Sequence, residues 1–175
     1  MKMARARYVP RGTFIHLLAG LMPENREALL LSLDYGLRIG DVLRMPASAL
    51  VTGRWSFQEE KTGKRRRIRL SDTHIAACRA FAGKYYVFPH RTNARKHRTR
   101  QAVYKDLKRI ARAFRLRYVS PHSARKTYAV DRFRQSGGDL KRVQRLLNHS
   151  DEAVTVLYAL ADQLDTRRGS SSSFS

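Results

Sequence analysis

Six side chains in this sequence, Arg38, Lys61, His122, Arg125, His149 and Tyr158, have the types and the order needed to break and remake a phosphodiester bond. Such a bond is attacked in line, negative charge builds on the non-bridging oxygens, and the leaving alkoxide needs a proton. Arg38 and Arg125 can each give two parallel hydrogen bonds to phosphate oxygens, a geometry that suits guanidinium and not ammonium. Tyr158 is the candidate nucleophile, and its attack would leave the phosphate joined to the protein, conserving the bond energy for later rejoining. On that reading neither ATP nor a metal is required, and no cofactor is expected. A phenol with a reference pKa of about 10 is a poor nucleophile at neutral pH, so His122 is the first choice of base. Lys61 is placed to protonate the departing 5′ oxygen, with Lys64 as its rival across the same turn. His149 would donate to a non-bridging oxygen. Asp41, three residues after Arg38, is expected to pair with a buried cation and fix its orientation.

The elements that position these groups can be read from periodicity and from the residues that start and stop helices. Phe14, Leu17, Leu18 and Leu21 predict a helix over residues 13–22. Pro23 suits the first position of a second helix, which should end near Tyr35-Gly36, where glycine can take the left-handed conformation. A short helix over residues 39–45 would then place Arg38 at a helix junction. Residues 54–58 and 65–70, bridged by Lys61-Thr62-Gly63-Lys64, read as a β-hairpin. Its second strand alternates poorly and holds Lys64, Arg65, Arg66, Arg67 and Arg69, so at least one face must be wet or pressed against phosphate. Ser71 is a plausible cap for a helix over 72–82. Residues 85–88 are short and apolar, and Pro89 closes them. A helix from Thr99 to about Arg112 packs one face, with Val103, Leu107, Ile110 and Ala111, and leaves the other strongly positive. Residues 91–112 hold nine Lys or Arg against Asp106 alone. Three more helices are predicted over 123–135, 139–147 and 151–160. The expected organisation is a basic segment over 1–12, one folded domain over 13–165 and a disordered Ser-rich tail over 166–175. The fold class expected is mainly α with a small β-hairpin or three-stranded sheet.

Composition narrows the partner. With Lys+Arg 36 against Asp+Glu 14, the net charge of +22 would make the folded chain repel itself unless a polyanion shared its field. Nucleic acid is the obvious polyanion. No run long enough to cross a membrane is present, and no apolar segment follows the basic start, so a soluble, intracellular protein is expected. The single cysteine, Cys78, excludes an internal disulfide and a zinc site built on Cys pairs, and its apolar helical surroundings mark it as a small buried hydrophobe. The histidines lack metal-ligand spacing, so no metal site is expected. Lys64, Arg65, Arg67, Arg98, Arg100, Lys105 and Arg109 are the candidate DNA contacts, to phosphate or groove.

Taken singly, Tyr158 among Val154, Leu157 and Leu160 reads as a core tyrosine and His149 as a helix-boundary residue. Their place in the ordered set is what reverses this. Tyr35-Gly36-Leu37-Arg38-Ile39-Gly40-Asp41-Val42-Leu43, Lys61-Thr62-Gly63, Pro121-His122-Ser123-Ala124-Arg125, and Leu146-Leu147-Asn148-His149-Ser150 followed by Tyr158 resemble, in turn, the first arginine motif, the β-hairpin lysine, the H-x-x-R box and the third motif with its nucleophile in the tyrosine recombinases, or phage integrases. The resemblance covers nearly the whole chain and implies that family's catalytic-domain fold. It implies site-specific DNA recombination through a 3′-phosphotyrosyl intermediate, in a homotetramer on paired double-stranded sites, in the cytoplasm of a bacterial host and associated with its nucleoid. Ala124 stands where the family usually has Leu, Lys126 where it often has a second His, and Asn148 where it favours Gly. The residues before Thr13 cannot form the helical domain with which family members commonly clamp DNA. The chain therefore resembles the short recombinases made of the catalytic domain alone, with an accessory clamp or DNA-bending protein as a possible partner. The alternatives are a catalytically idle DNA-binding module that acts as a regulator, and a ribosomal-type RNA-binding protein.

Overall fold

A proline opens and a glycine closes the helix on which the candidate site is built. In the computed structural model, which describes residue 6 and residues 8–148, helix α2 (Pro23–Tyr35) starts with Pro23 in its first turn. It ends at Gly36, whose φ of 65° is the left-handed conformation that glycine adopts without a Cβ penalty. Ahead of it, α1 (Arg11–Ala19) begins two residues earlier than periodicity predicts, directly after Pro10, and buries Phe14, Leu17 and Leu18. The part of the N-terminal segment that is described does not stand apart. Val9 lies in the core, the Thr127 hydroxyl donates to its carbonyl at 2.7 Å, and the Lys126 ammonium donates to that of Ala6 at 2.6 Å.

After Gly36 come α3 (Ile39–Leu43) and the single turn α4 (Ala49–Thr52), which sequence periodicity does not reveal. Gly53, at φ 64°, ends α4 and turns the chain into the hairpin. Strands β1 (Arg54–Gln58) and β2 (Arg65–Arg69) pair antiparallel in register Arg54↔Arg69, Trp55↔Ile68, Ser56↔Arg67, Phe57↔Arg66 and Gln58↔Arg65. Among the described residues the sheet has two strands. Trp55 stacks on Phe57 and turns inward with Ile68, while the other face carries the remaining arginines into solvent.

Helix α5 (Asp72–Arg79) is capped by the Ser71 side chain, which accepts from the His74 amide, as read from sequence. Cys78 on this helix is buried, and that burial pushes its thiol up to about 12, consistent with an inert packing residue. Residues 85–88 form no strand. Val87 and Phe88 are fully buried, the Val87 amide bonds to the Met45 carbonyl, and single bridges join Pro46 to Tyr86 and Pro89 to His97. Helix α6 (Arg100–Ala113) is capped by Thr99 and buries Val103, Leu107, Ile110 and Ala111 against the core. Its buried Asp106 accepts from the Met22 amide at 2.9 Å, Asn25 at 2.7 Å and Arg109 at 2.7 Å, which ties α6 to the start of α2.

A second buried charge cluster links α2 to α5. His74 lies 2.5 Å from Glu27 and 3.1 Å from Asp34. Burial works against its protonation, but the two carboxylates outweigh it and raise the imidazole to about 9.

The chain divides into two compact units, residues 1–128 and 129–175. Helix α7 (Pro121–Gln135) begins in the first and runs into the second. The described part of the second unit continues with α8 (Leu140–Leu146), capped by the Asp139 side chain at the Arg142 amide, with Val143 and Leu147 buried. The helix predicted over 151–160 and the tail over 166–175 lie outside the described residues.

Candidate active site

The turn after α2 is where the cations gather. Gly36 reverses the chain, the Ser32 hydroxyl holds the Leu37 carbonyl at 2.5 Å, and Leu37 and Ile39 are drawn into the core. Arg38, between them, is the extended residue that starts α3, and its carbonyl accepts from the amides of Asp41 and Val42. Its side chain is 9% exposed and donates from Nη1 to Glu59 at 2.8 Å. Arg125, buried at the start of the second turn of α7, donates from Nη1 to the Gly36 carbonyl at 2.5 Å. Arg66 bridges the two: its Nη1 reaches both the Gly36 carbonyl, at 3.4 Å, and Glu59, at 3.3 Å. Its Nη2 donates to the Tyr35 carbonyl at 2.5 Å.

Three guanidinium groups thus converge on one turn, Arg38 and Arg66 on the buried Glu59 carboxylate and Arg66 and Arg125 on the Gly36 carbonyl. Burial works to raise the Glu59 carboxyl, but bonds from Thr62, Arg38 and Arg66 outweigh it and hold it below the usual carboxylate range. Guanidinium groups with fixed donor geometry at a buried turn suit a phosphodiester anion, because water screens little of the attraction there.

Lys61 lies at the tip of the hairpin, in a turn closed by Glu59 amide to Lys64 carbonyl at 3.0 Å and Gly63 amide to Glu59 carbonyl at 2.8 Å. Gly63 takes φ 66° to make that turn. Lys61 and Lys64 are both exposed, so burial does not separate the two candidate acids. His122, also exposed, lies in the first turn of α7, three residues before Arg125. The structure therefore brings Arg38 and Arg125 to one turn, with Lys61 on the hairpin that the same turn meets through Glu59. His149 and Tyr158 lie outside the described residues.

Two expectations are corrected. Asp41 does not pair with Arg38 or Arg125. Its carboxylate faces along its own helix to Arg44, at 2.5 Å, and takes the Glu60 amide at 3.0 Å, while Glu59 from the hairpin fills the place beside Arg38. Arg98 is not a surface cation. It is buried, donates from Nε to the Asn25 side-chain Oδ1 at 2.5 Å, has Nη1 3.9 Å from Glu24, and serves the α2–α6 contact. Arg65, Arg67 and Lys105 are exposed as expected. Arg100 is exposed and meets Glu60 at 2.9 Å, and Arg109 is exposed but bonded to Asp106 and the Gly20 carbonyl.

Sequence reasoning missed Glu59 and the inward place of Arg66 at the site, and Arg54 on the outer sheet face. For Arg66 a signal existed: period two places it on the inward face, opposite Phe57 and between two residues that face outward.

Residues 16–164 match the model of the phage integrase family. The chain belongs to the phage integrase family, the tyrosine recombinases. Tyrosine recombinase XerD of Rhizobium meliloti is 34% identical over 152 residues, covering 79% of this chain and 48% of that protein. The integrase of Escherichia phage P2 is 29% identical, covering 87% of this chain and 42% of that protein. The chain thus spans about half the length of these curated relatives. The fold matches that of a lambda integrase dimer bound to a COC' core site, with a TM-score of 0.71, 20% identity, and coverage of 90% of this chain and 49% of that one. Within the phage integrase pattern, two departures of this chain acquire physical reasons. Asn148 adopts φ 59°, a conformation asparagine tolerates better than other side-chain-bearing residues, which accounts for asparagine where the family favours glycine. Ala124 is fully buried in the core, where a larger side chain would need room.

Proposed function

We propose that this chain carries the strand-transfer chemistry of a site-specific DNA recombinase. The observation that carries the reading is the convergence of Arg38, Arg66 and Arg125 on the Gly36 turn, in a family member that also retains Lys61, His122, His149 and Tyr158. The two predicted clamp arginines would hold the scissile phosphate in line. His122 would assist removal of the phenolic proton, and the Tyr158 oxygen would bond to phosphorus as the bond to the 5′ oxygen breaks. Lys61 would supply the proton that the leaving oxygen takes, and His149 would stabilise charge on a non-bridging oxygen. The product is a 3′-phosphotyrosyl link that a second 5′ hydroxyl reverses, so neither ATP nor metal takes part. Asp41 supports the site through the hairpin amide of Glu60.

Double-stranded DNA is the proposed partner. The outer face of the hairpin offers Arg54, Arg65, Arg67 and Arg69 together, and the exposed side of α6 adds Lys105 and Lys108. A homotetramer on paired sites, an accessory clamp or bending protein and a place at the bacterial nucleoid belong to the same proposal.

The test is covalent capture. A pool of nicked duplexes of randomised sequence should yield a protein–DNA adduct that survives denaturation, and Tyr158→Phe should abolish it. Salt-sensitive DNA binding without any adduct from the wild type would favour an idle regulatory module instead.

A further inference from the structure

Glu59 is the unexpected group at the junction. A buried carboxylate beside a phosphate site repels the ligand through the same Coulomb term that makes the arginines attractive. Its bonds identify a compensating role. One carboxylate oxygen, Oε2, accepts from Arg38 Nη1 and from Thr62 Oγ1, each at 2.8 Å. The other accepts from Arg66 at 3.3 Å. The main chain of Glu59 closes the hairpin turn from both sides, to Lys64 and to Gly63, and Thr62 Oγ1 takes the Lys64 amide at 3.3 Å. Lys61 thus lies between Glu59 and the turn residues that Glu59 binds, Thr62, Gly63 and Lys64, and the same carboxylate binds the arginine at the start of α3.

We infer that Glu59 is a positioning residue, which joins Arg38 to Thr62 through one carboxylate oxygen and so sets the turn that carries Lys61 against the phosphate clamp. The inference rests on the strand-transfer chemistry proposed above. A second tie to the turn exists through Glu60, whose carboxylate meets Arg44 at 3.1 Å and Arg100 at 2.9 Å. Those three side chains are 34%, 46% and 62% exposed, for Arg44, Glu60 and Arg100 respectively. Solvent and salt screen such pairs, whereas the buried Glu59–Arg38 pair is screened little. Glu59 is therefore the side chain that ties the turn to Arg38 itself, while the buried Asp41 carboxylate ties the Glu60 amide to α3.

The position of a general acid can be read separately from the rest of a site by changing the leaving group. In the normal step the P–O5′ bond breaks while the Tyr158 oxygen bonds to phosphorus, and the proton leaving the Lys61 ammonium goes to the 5′ oxygen. With sulfur in place of that oxygen the departing thiolate needs no proton, because a thiol has a reference pKa of about 8.5, far below that of a hydroxyl. The experiment measures single-turnover cleavage by the full chain of two nicked duplexes, selected by wild-type covalent capture and differing only in a bridging 5′ oxygen or sulfur.

Glu59→Gln should slow cleavage of the oxygen duplex at least about tenfold more than that of the sulfur duplex, as displacement of a general acid would. Thr62→Val should show the same selectivity to a smaller degree, and Thr62→Ser should restore the wild-type ratio. Equal slowing on both duplexes, or none, would overturn the assignment. Should Glu59→Gln fail to fold, Thr62→Val, which touches no arginine, decides alone. A wild type that forms no adduct with either duplex would sink the strand-transfer reading itself, whereas wild-type adducts with no leaving-group selectivity in the variants would sink the role of Glu59 alone.

Discussion

The arginines of the Gly36 turn and those of the outer hairpin face are the same residue type put to opposite uses. Arg38, Arg66 and Arg125 are mostly buried, and their guanidinium groups are oriented by Glu59 and by main-chain carbonyls. Arg54, Arg65, Arg67 and Arg69 are exposed, and no carboxylate among the described residues pairs with them. Arg54 and Arg69 even sit directly across from each other, a like-charge pairing that weakens a sheet. Burial supplies direction at the cost of desolvation, which only well-placed partners offset. Exposure supplies attraction that salt can switch off. The first group is suited to holding one phosphate in one orientation. The second is suited to a charged backbone in many registers, since alternate residues on a strand stand roughly 6.8 Å apart and repeat along it.

Mutations should separate the two groups, and the largest effect belongs to the buried one. Arg125→Lys keeps the charge but loses the forked donor geometry, so covalent adduct formation should fall on the order of 100-fold or more while duplex binding changes by only a few fold. An unchanged rate would show that charge alone suffices there. The α2–α6 contact is a second buried case. Asp106→Ala removes the acceptor shared by the Met22 amide, Asn25 and Arg109, and urea denaturation should report a loss of about 2–3 kcal/mol. A loss within experimental error would mean that helix packing alone holds α6 on α2.

For the exposed group the readout is salt. Combining Arg54→Ala with Arg69→Ala should lower the slope of log affinity against log salt by about 2 while leaving the cleavage rate at saturating DNA unchanged. A slope equal to that of the wild type would remove this face from the DNA interface.

The smallest effect expected is a pH dependence at His74. Its folded value of about 9 lies above the reference value of 6.5, so the protonated imidazole contributes stability that is complete below 6.5 and is lost as pH rises through about 9. Denaturation midpoints should therefore fall across that alkaline window in the wild type, and less so in His74→Gln. Parallel curves would contradict the pairing with Glu27 and Asp34.

The chain's local signals, and their limits, follow the same division. Pro23 and Gly36, the Ser71 cap, the helix starts near Thr99 and Asp139, and the hairpin are dictated by residues close in sequence, and all are legible there. The turn α4 has no periodicity to betray it, because a single turn is too short to show one. At the site, Arg38 and Arg125 stand out in the sequence through their motifs, but the carboxylate that orients Arg38 comes from a hairpin 21 residues away. Asp41 was the nearer choice on spacing, yet Arg44 on the same helix is within easier reach of it. Arg98 and Arg109 look alike in the sequence, and only the packing of α2 against α6 buries one and leaves the other exposed.

The central claim is that a phenolic oxygen of this chain takes up a DNA phosphate held by the buried arginines. Mass spectrometry of the protease-digested adduct, formed with a nicked duplex of known end chemistry, tests it most directly. The account predicts a nucleotide attached through its 3′ phosphate to the peptide containing Tyr158, and none in Arg125→Ala. Attachment at another residue, a 5′ linkage, or an undiminished adduct in Arg125→Ala would contradict it.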